Sequence, residues 1–430
     1  VMLYERIRQV VVESGLWDER RELSHGFILS PSIYEVSQEK MGELEAIGLA
    51  IYDCLWGLNN LMADACHTRN NGNHLYGMIG RILKTGVPTI YRDLMTLDPG
   101  RVSSICKVDL MESDDGNFFI AEIDGHNKHG LGYSILAARI RDAVMPQARA
   151  IPGVAAVIAQ ELKRRGEKSV VLLYADQERF YLPEFFILKS ELATLGIELL
   201  VTAESDTRIQ QRSIVISGDT KNHKLFFDFP FLYHHQELNM RMAELYRNNE
   251  IDFLIPPKPF LGSKAVLALL RNDLADNMLE GILASYIRPE SLAFLRQYIP
   301  ETYLVRKRSS KVKETEVYWM EQCAGRKFVL KESISSGMKG TAFMDDGNFN
   351  EIMARACGSY YRFILQKEIT NRARSFQYFG NKGKIGHGEW FVRITVHYFV
   401  GGIADIIITA RRDKKVHGAL DCLQLGAIIV

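Results

Sequence analysis

The stretch VSSICKVDLMESDDGNFFIAEIDG, residues 102–125, decides how this chain is read. Two alternating runs flank Asp115-Gly116, and an Asp-Gly step between such runs predicts a β-hairpin. A two-residue loop there makes opposed residue numbers sum to 231, so Asp109 faces Glu122 and Lys107 faces Asp124. With a side-chain period of two, those four residues share one face, and Val108, Leu110, Ala121 and Ile123 share the other, apolar one. Opposed Cβ atoms lie about 4.5–5.5 Å apart, so three carboxylates held that close repel one another unless a cation lies among them. Hard oxygen donors of this kind suit Mg²⁺ shared with substrate phosphates. The pattern also fits a solvated hairpin face on which Lys107 pairs with Asp124, because exposed faces of antiparallel sheets are commonly charged.

Around this hairpin the chain is ordinary in composition. Its 430 residues are 47% hydrophobic and 24% charged, which excludes a mostly disordered, collagen-like or disulfide-stapled chain. Length alone predicts two or three domains. With 53 basic and 52 acidic residues the net charge is +1, without the basic excess of a dedicated nucleic-acid binder. The six cysteines form no CxxC pair and match no zinc spacing, so reduced structural thiols in a cytoplasmic protein are expected. No apolar run reaches the roughly 18 residues of a membrane helix, and charges interrupt the first apolar stretch where a signal peptide would be unbroken.

Periodicity divides the chain into four parts. Residues 1–100 read as a helical N-terminal region, with helical spacing through MGELEAIGLAIYDCLWGLNNLM (41–62). Residues 101–150 hold the hairpin and a helix in YSILAARIRDAVM. Residues 151–258 alternate strands (SVVLLYAD, Leu199 to Val201, KLFFDF, DFLIP) with helices. One helix, LPEFFILKSELATLG, has Pro183 near its start, Phe185, Leu188, Leu192 and Leu195 on one face, and Gly196 as its stop. This predicts a small α/β domain with a mostly parallel sheet. Residues 259–430 read as α+β: KAVLALLRNDLADNMLEGILASY is helical, and KFVLKES, FILQKEIT, WFVRITVHYFV and ADIIITARR are strands. Between the first two strands lies ISSGMKGTAF (334–343), whose N–H groups, Ser335, Ser336 and Lys339 suit a phosphate, although GxxxxGK[ST] is absent. Such loops also serve as plain turns. Lys331 lies inside an apolar strand, where a lysine either meets an anion or snorkels outward.

Taken together, these pieces resemble the ATP-grasp ligases in circularly permuted order. GSKAVLALLRND is similar to the segment with the first nucleotide lysine, here Lys264, and KFVLKESISSGMKGTAF to the strand with the second, here Lys331, and its phosphate-covering loop. FILQKEIT resembles the hinge strand that grips adenine. The metal-binding unit, last in unpermuted members, is resembled by KVDLMESDDGNFFIAEID at 107–124, ahead of the others. That order marks the glutathionylspermidine synthetase-like and eukaryotic glutathione synthetase-like groups. Lys107 stands for the family arginine, Asp124 for its asparagine and Gln366 for an adenine-gripping acid.

The resemblance implies an ATP-grasp fold in permuted order over 101–150 and 259–430, with a Rossmann-like domain at 151–258. It implies that Asp109, Glu122 and Asp124 bind two Mg²⁺. Lys264 and Lys331 then contact ATP, and Ser335, Ser336, Gly337, Lys339 and Gly340 cover its phosphates. Gln366, Lys367 and Ile369 line the adenine pocket, and Lys107 stabilises the transferred phosphoryl group. The activity implied is ATP-dependent joining of a small-molecule acid to an amine through an acylphosphate, with neither nucleic acid nor membrane as partner; the oligomeric state is left open. Phosphoryl transfer by positioning and charge neutralisation is consistent with such a residue set. A phosphotransferase on the same fold, or a non-catalytic nucleotide-binding protein, are the alternatives. For substrate contacts, His126, Asn127, Lys128 and His129 in GHNKHG (125–130) follow the metal strand, and Arg393 is a further anion-binding candidate; each also fits an ordinary surface polar residue. Two further expectations follow: the hairpin joins residues 390–410 in one antiparallel sheet, with ADIIITARR as candidate neighbour, and loop 334–343 is the mobile lid of the site.

Overall fold

The computed structural model describes residues 2–16, 27–67, 74–126, 128–147, 151–210, 213–218, 223–230, 235–273, 276–335, 340–380, 383–418 and 421–430. In chain order its strands are β1 (Tyr34–Val36), β2 (Ile105–Glu112), β3 (Phe118–Asp124), β4 (Ser169–Tyr174), β5 (Glu198–Ala203), β6 (Thr207–Gln210), β7 (Ser213–Ile216), β8 (Leu225–Asp228) and β9 (Asp252–Ile255). They continue as β10 (Thr302–Val305), β11 (Phe328–Glu332), β12 (Thr341–Phe343), β13 (Phe363–Lys367), β14 (Ala373–Phe379), β15 (Ile385–Phe399), β16 (Gly402–Arg411) and β17 (Cys422–Ile429). The fold is mixed α/β with several separate sheets.

The largest sheet has seven strands in the order β1-β17-β16-β15-β2-β3, with β14 also paired to β15. The hairpin therefore shares a sheet with residues 390–410, but its neighbour is β15, and ADIIITARR in β16 lies one strand further away. One face of this sheet is apolar (Val108, Leu110, Val396, Ile408) and packs on the long helix Gln38–His67. A side chain on Gly48 of that helix would stand 2.3 Å from Tyr398 and from the Gly401 carbonyl, so only glycine allows this approach. The opposite face carries the helix Leu131–Val144 at one end and the polar hairpin residues at the other.

The hairpin turn differs from the expected one. Ser113 and Asn117 close a three-residue loop in which Gly116 has φ +83°, and the strands leave it in register Glu112↔Phe118, Met111↔Phe119 and Leu110↔Ile120. A β-bulge at Ala121 then restores Asp109↔Glu122, Val108↔Ile123 and Lys107↔Asp124. The longer turn shifts the ladder by one and the bulge shifts it back, so the carboxylates lie opposed as read while Ile120, in place of Ala121, joins the core.

The four strands read in 151–258 form a parallel sheet, β5-β4-β8-β9. Val170 and Leu172 of β4 face the helices Val154–Arg164 and Leu182–Thr194, while Val171 and Leu173 face the main core, the both-faces burial of a parallel sheet. A β6–β7 hairpin is additional. The third sheet, β10-β13-β11-β12, is antiparallel. Its Phe328, Leu330, Phe363 and Leu365 bury against the helices Val312–Gln322 and Phe349–Gly358, and the alternate residues Val329, Lys331 and Gln366 face the seven-stranded sheet. The single helix expected over 264–286 is two, Ala265–Arg271 and Asn277–Tyr286, broken at Asn272, whose φ of +50° is left-handed. Among the described residues no helix is long and apolar enough to cross a membrane.

Candidate functional site

Between the seven-stranded sheet and the four-stranded antiparallel sheet lies an open cleft. The hairpin and β15 supply Asp109, Glu122 and Arg393 on one wall; β11 and β13 supply Lys331, Gln366 and Lys367 on the other. Lys264, Ser335 and Ile369 also line it. Segments read separately in the sequence are thus brought to one cavity.

Within it, cations and carboxylates are paired. Lys264 Nζ lies 3.0 Å from Glu122 Oε1 and 3.0 Å from the Ser335 carbonyl. Arg393 Nη1 lies 3.5 Å from Asp109 Oδ2, and Thr395, opposite Asp109 in register, donates to Asp109 Oδ1 at 2.7 Å. Burial would raise the Asp109 carboxyl, but Arg393, Lys107 and the Thr395 hydroxyl bring it below the usual carboxylate range. Lys331 donates to the Gln366 amide oxygen at 2.6 Å and to the Ala121 carbonyl at 3.1 Å, and burial pushes its ammonium down to about 8.

Asp124 and Lys107 stand beside the cleft without lining it, 4.0 Å apart. Burial opposes the Lys107 charge, but Asp109, Asp124 and Glu122 together hold it above its ordinary value. Its cross-strand neighbour His397 is 1% exposed, neither ring nitrogen has a hydrogen-bond partner among the described residues, and burial with the Lys107 charge pushes it down to about 3. The three carboxylates lie on one face as expected, but each is drawn to a different cation. Among the described residues no three His, Cys, Asp or Glu side chains gather closely enough to hold a metal ion.

The segment after Asp124 is engaged elsewhere. Lys128 is buried and reaches the C-terminal edge of the parallel sheet, where it pairs with Glu178 and Asp228, each at 3.1 Å, and donates to the Leu173 carbonyl. This point lies between β4 and β8, where the strand order reverses, the usual ligand crevice of an open α/β sheet, and here a lysine of the same chain fills it. His129 stacks on Tyr181 at 3.9 Å and lies 3.3 Å from Glu178 and 3.6 Å from Glu184. Burial opposes its protonation, and the two glutamates raise it all the same. His126 packs edge-on against Tyr91, and burial followed by the Lys128 charge pushes it down to about 4. Gly340 has φ +73°, and a Cβ there would meet Glu332 at 2.6 Å. Asn127, Ser336, Gly337 and Lys339 lie outside the described residues, which leave out four of the ten residues of the expected lid; its last three, Thr341–Phe343, are not loop but the edge strand β12, paired with β11.

Several cleft residues carry no signal in the sequence. Lys414, Lys415 and Val416, on the loop between β16 and β17, form part of the wall. Lys414 pairs with Glu368 at 3.0 Å and Asp345 at 3.3 Å, and Lys415 pairs with Asp346. The only hint is a basic pair, Lys414-Lys415, between two apolar runs. Thr395 is likewise visible only once β15 is known to pair with β2.

No family model and no curated protein matches this chain. Among solved structures, the chain is similar to a crystal structure from Methylobacillus flagellatus KT described as a "putative gamma-glutamylcysteine synthetase", at 11% sequence identity and a TM-score of 0.38. The likeness covers 87% of this chain and 88% of that one.

Proposed function

We propose that this chain is an ATP-dependent ligase of the circularly permuted ATP-grasp type, joining the carboxylate of one small molecule to the amine of another. The observation that carries the reading is the cleft itself: Asp109, Glu122 and Arg393 on one sheet, Lys331 on the facing sheet, and Lys264 beside Glu122. Opposed walls bearing carboxylates and cations suit a nucleotide polyphosphate, and phosphoryl transfer requires mostly positioning and charge neutralisation.

In this reading the base lies against Val329, Phe343 and Ile369, and the phosphates run toward Lys331, Lys264 and Arg393. Arg393, beside Asp109 in the cleft, takes the role of clamping the transferred phosphoryl group that the resemblance gave to Lys107, which stands beside the cleft and supports it at longer range. Asp109 and Glu122 offer oxygen donors of the kind Mg²⁺ takes, with Asp124 next along the strand, and phosphate oxygens complete such a set. Bound there, Mg²⁺ would neutralise charge on the phosphates. The acid attacks the γ-phosphate, ADP departs, and the amine then displaces phosphate from the acylphosphate to form the amide.

The test is a screen of acid–amine pairs scored by phosphate release and product mass. Turnover that requires both substrates and yields ADP, phosphate and an amide supports the ligase. A phosphorylated product formed without any amine assigns the chain to phosphotransferases instead. Glu122→Gln should abolish turnover. It also leaves the Lys264 ammonium, 6% exposed, without its carboxylate, so a stability loss of roughly 1–3 kcal/mol is expected alongside. Wild-type turnover in that variant would sink the assignment.

A further inference from the structure

The cations lining the cleft differ in their partners. Lys264 and Arg393 face Glu122 and Asp109, Lys414 faces Glu368 and Asp345, and Lys415 faces Asp346. Two have no ion pair among the described residues: Lys367, which is exposed, and Lys331, whose two hydrogen bonds go to neutral acceptors, Gln366 Oε1 at 2.6 Å and the Ala121 carbonyl at 3.1 Å. The charged groups acting on it at longer range are Glu122 and Asp109 from the hairpin and Lys264 from the start of its helix.

Gln366 is anchored at both ends of its carboxamide. It is 3% exposed, and its Nε2 donates to Thr302 Oγ1 at 3.3 Å while its Oε1 accepts from Lys331. Thr302 is itself fixed, because its hydroxyl donates to the Pro300 carbonyl at 2.6 Å. In the ladder Gln366 lies opposite Thr302 on β10 and Val329 on β11, so the backbone sets the amide's position. Each end of the carboxamide therefore has a partner within the protein.

We propose that Gln366 is a positioning residue for Lys331: it holds the ammonium out into the cleft without neutralising it, so that a polyphosphate is the first acid this lysine meets. The inference rests on the nucleotide reading above and revises the role that the resemblance gave Gln366 in the adenine pocket. An ammonium has three N–H donors; two are committed here, and the third is available to a phosphate oxygen. A glutamate of the same shape would occupy the cation with a charge-assisted bond, and phosphate would then have to displace it. The depressed Lys331 pKa is what a buried lysine with only neutral partners should have.

Adenosine and ATP separate the two roles. Their binding is measured with Mg²⁺ present, by competition against a fluorescent ATP analogue, for wild type, Gln366→Glu, Gln366→Met and Lys331→Met. Gln366→Glu should weaken ATP about tenfold or more and leave adenosine within about twofold of wild type. Gln366→Met, which removes the tether and adds no charge, should weaken ATP by a few-fold with adenosine again unchanged, and it serves if the glutamate variant does not fold. Combining Gln366→Glu with Lys331→Met should cost no more than Lys331→Met alone, because the glutamate acts only through the lysine. Parallel losses of adenosine and ATP would make Gln366 a base contact and overturn the inference while leaving the nucleotide reading intact. Unchanged ATP affinity in both Gln366 variants would overturn it equally. A wild type that binds neither ligand would overturn both readings.

Discussion

Lys258 is 1% exposed, and its ammonium donates to Asn59 Oδ1 and to the Asp98 carbonyl, each at 2.7 Å. Burial pushes it down to about 8 from the ordinary 10.5. Between those values the unfolded chain binds the extra proton, so this group's contribution to stability rises with pH across that window. Below pH 8 the penalty for holding the charge in the core is fully present. Lys258→Met removes the titration at the cost of the two hydrogen bonds, a constant offset. The gap in unfolding free energy between wild type and variant should therefore move in favour of wild type by up to about 3 kcal/mol from pH 7 to above pH 10. Urea unfolding at both pH values measures it, and a gap that does not move would mean that Lys258 titrates normally. This lysine carried no signal in the sequence. In IPPKPFLG it reads as part of an exposed turn, and only the meeting with Asn59 and the 98–101 loop buries it. Lys331 stands out in the sequence because it interrupts an apolar strand, where a lysine either meets an anion or snorkels outward, and the structure leaves it half-buried at the cleft wall. The neutrality of its partners was not legible, because it depends on a cross-strand neighbour and on a bulge.

Ala121 is where element-scale logic is most exposed. Two residues of β3, Ala121 and Glu122, oppose the single Asp109, and the carbonyl of the extra residue accepts from Lys331. Deleting Ala121 would leave a regular ladder in which Glu122 still opposes Asp109 and Ile120 still opposes Leu110. The variant should fold, with stability within about 1 kcal/mol of wild type, and should bind ATP several-fold more weakly because Lys331 loses one of its two acceptors. Circular dichroism melting and a nucleotide titration check the two halves. A collapse in stability would show that the bulge holds the hairpin itself together. The same hairpin explains what a sequence can and cannot tell. Its strands, faces and opposed carboxylates follow from alternation, and alternation survives a loop one residue longer because the bulge compensates. The strand that pairs with it did not follow. ADIIITARR and WFVRITVHYFV are both long apolar runs, and nothing in either run distinguishes the strand beside β2 from the one beyond it. The break at Asn272 was missed for a similar reason, since Asn-Asp interrupts an otherwise continuous helical period without a Gly or Pro.

At the scale of the whole molecule, the cleft depends on two sheets keeping their distance. Asp109 and Thr395 are 286 residues apart in the chain and hydrogen-bonded, so the seven-stranded wall is a single rigid unit assembled from both ends of the sequence. The facing antiparallel sheet has its own core against its own two helices, and the two walls meet across polar side chains. The loop between β16 and β17 crosses that gap. Lys414 reaches Glu368 and Asp345, Lys415 reaches Asp346, and both ammonium groups lie over the Phe343 ring, at 5.1 and 5.4 Å. These pairs join the end of the large sheet to the rim of the small one. They are half-exposed, and such pairs contribute little to global stability and are screened by salt. Their effect should instead fall on opening of the cleft. Replacing Lys414 and Lys415 together by alanine should shift the melting temperature by no more than about 2 °C. The same change should speed dissociation of a fluorescent ATP analogue several-fold, because the two walls lose their tie across the mouth. Raising the salt from about 0.05 M to about 0.5 M should accelerate release from the wild type and have a smaller effect on the variant, which no longer has these pairs to screen. Stopped-flow displacement resolves both comparisons. Equal release rates in wild type and variant, with the same salt response, would mean that the two sheets are held in position by their cores alone and that the loop is only a wall.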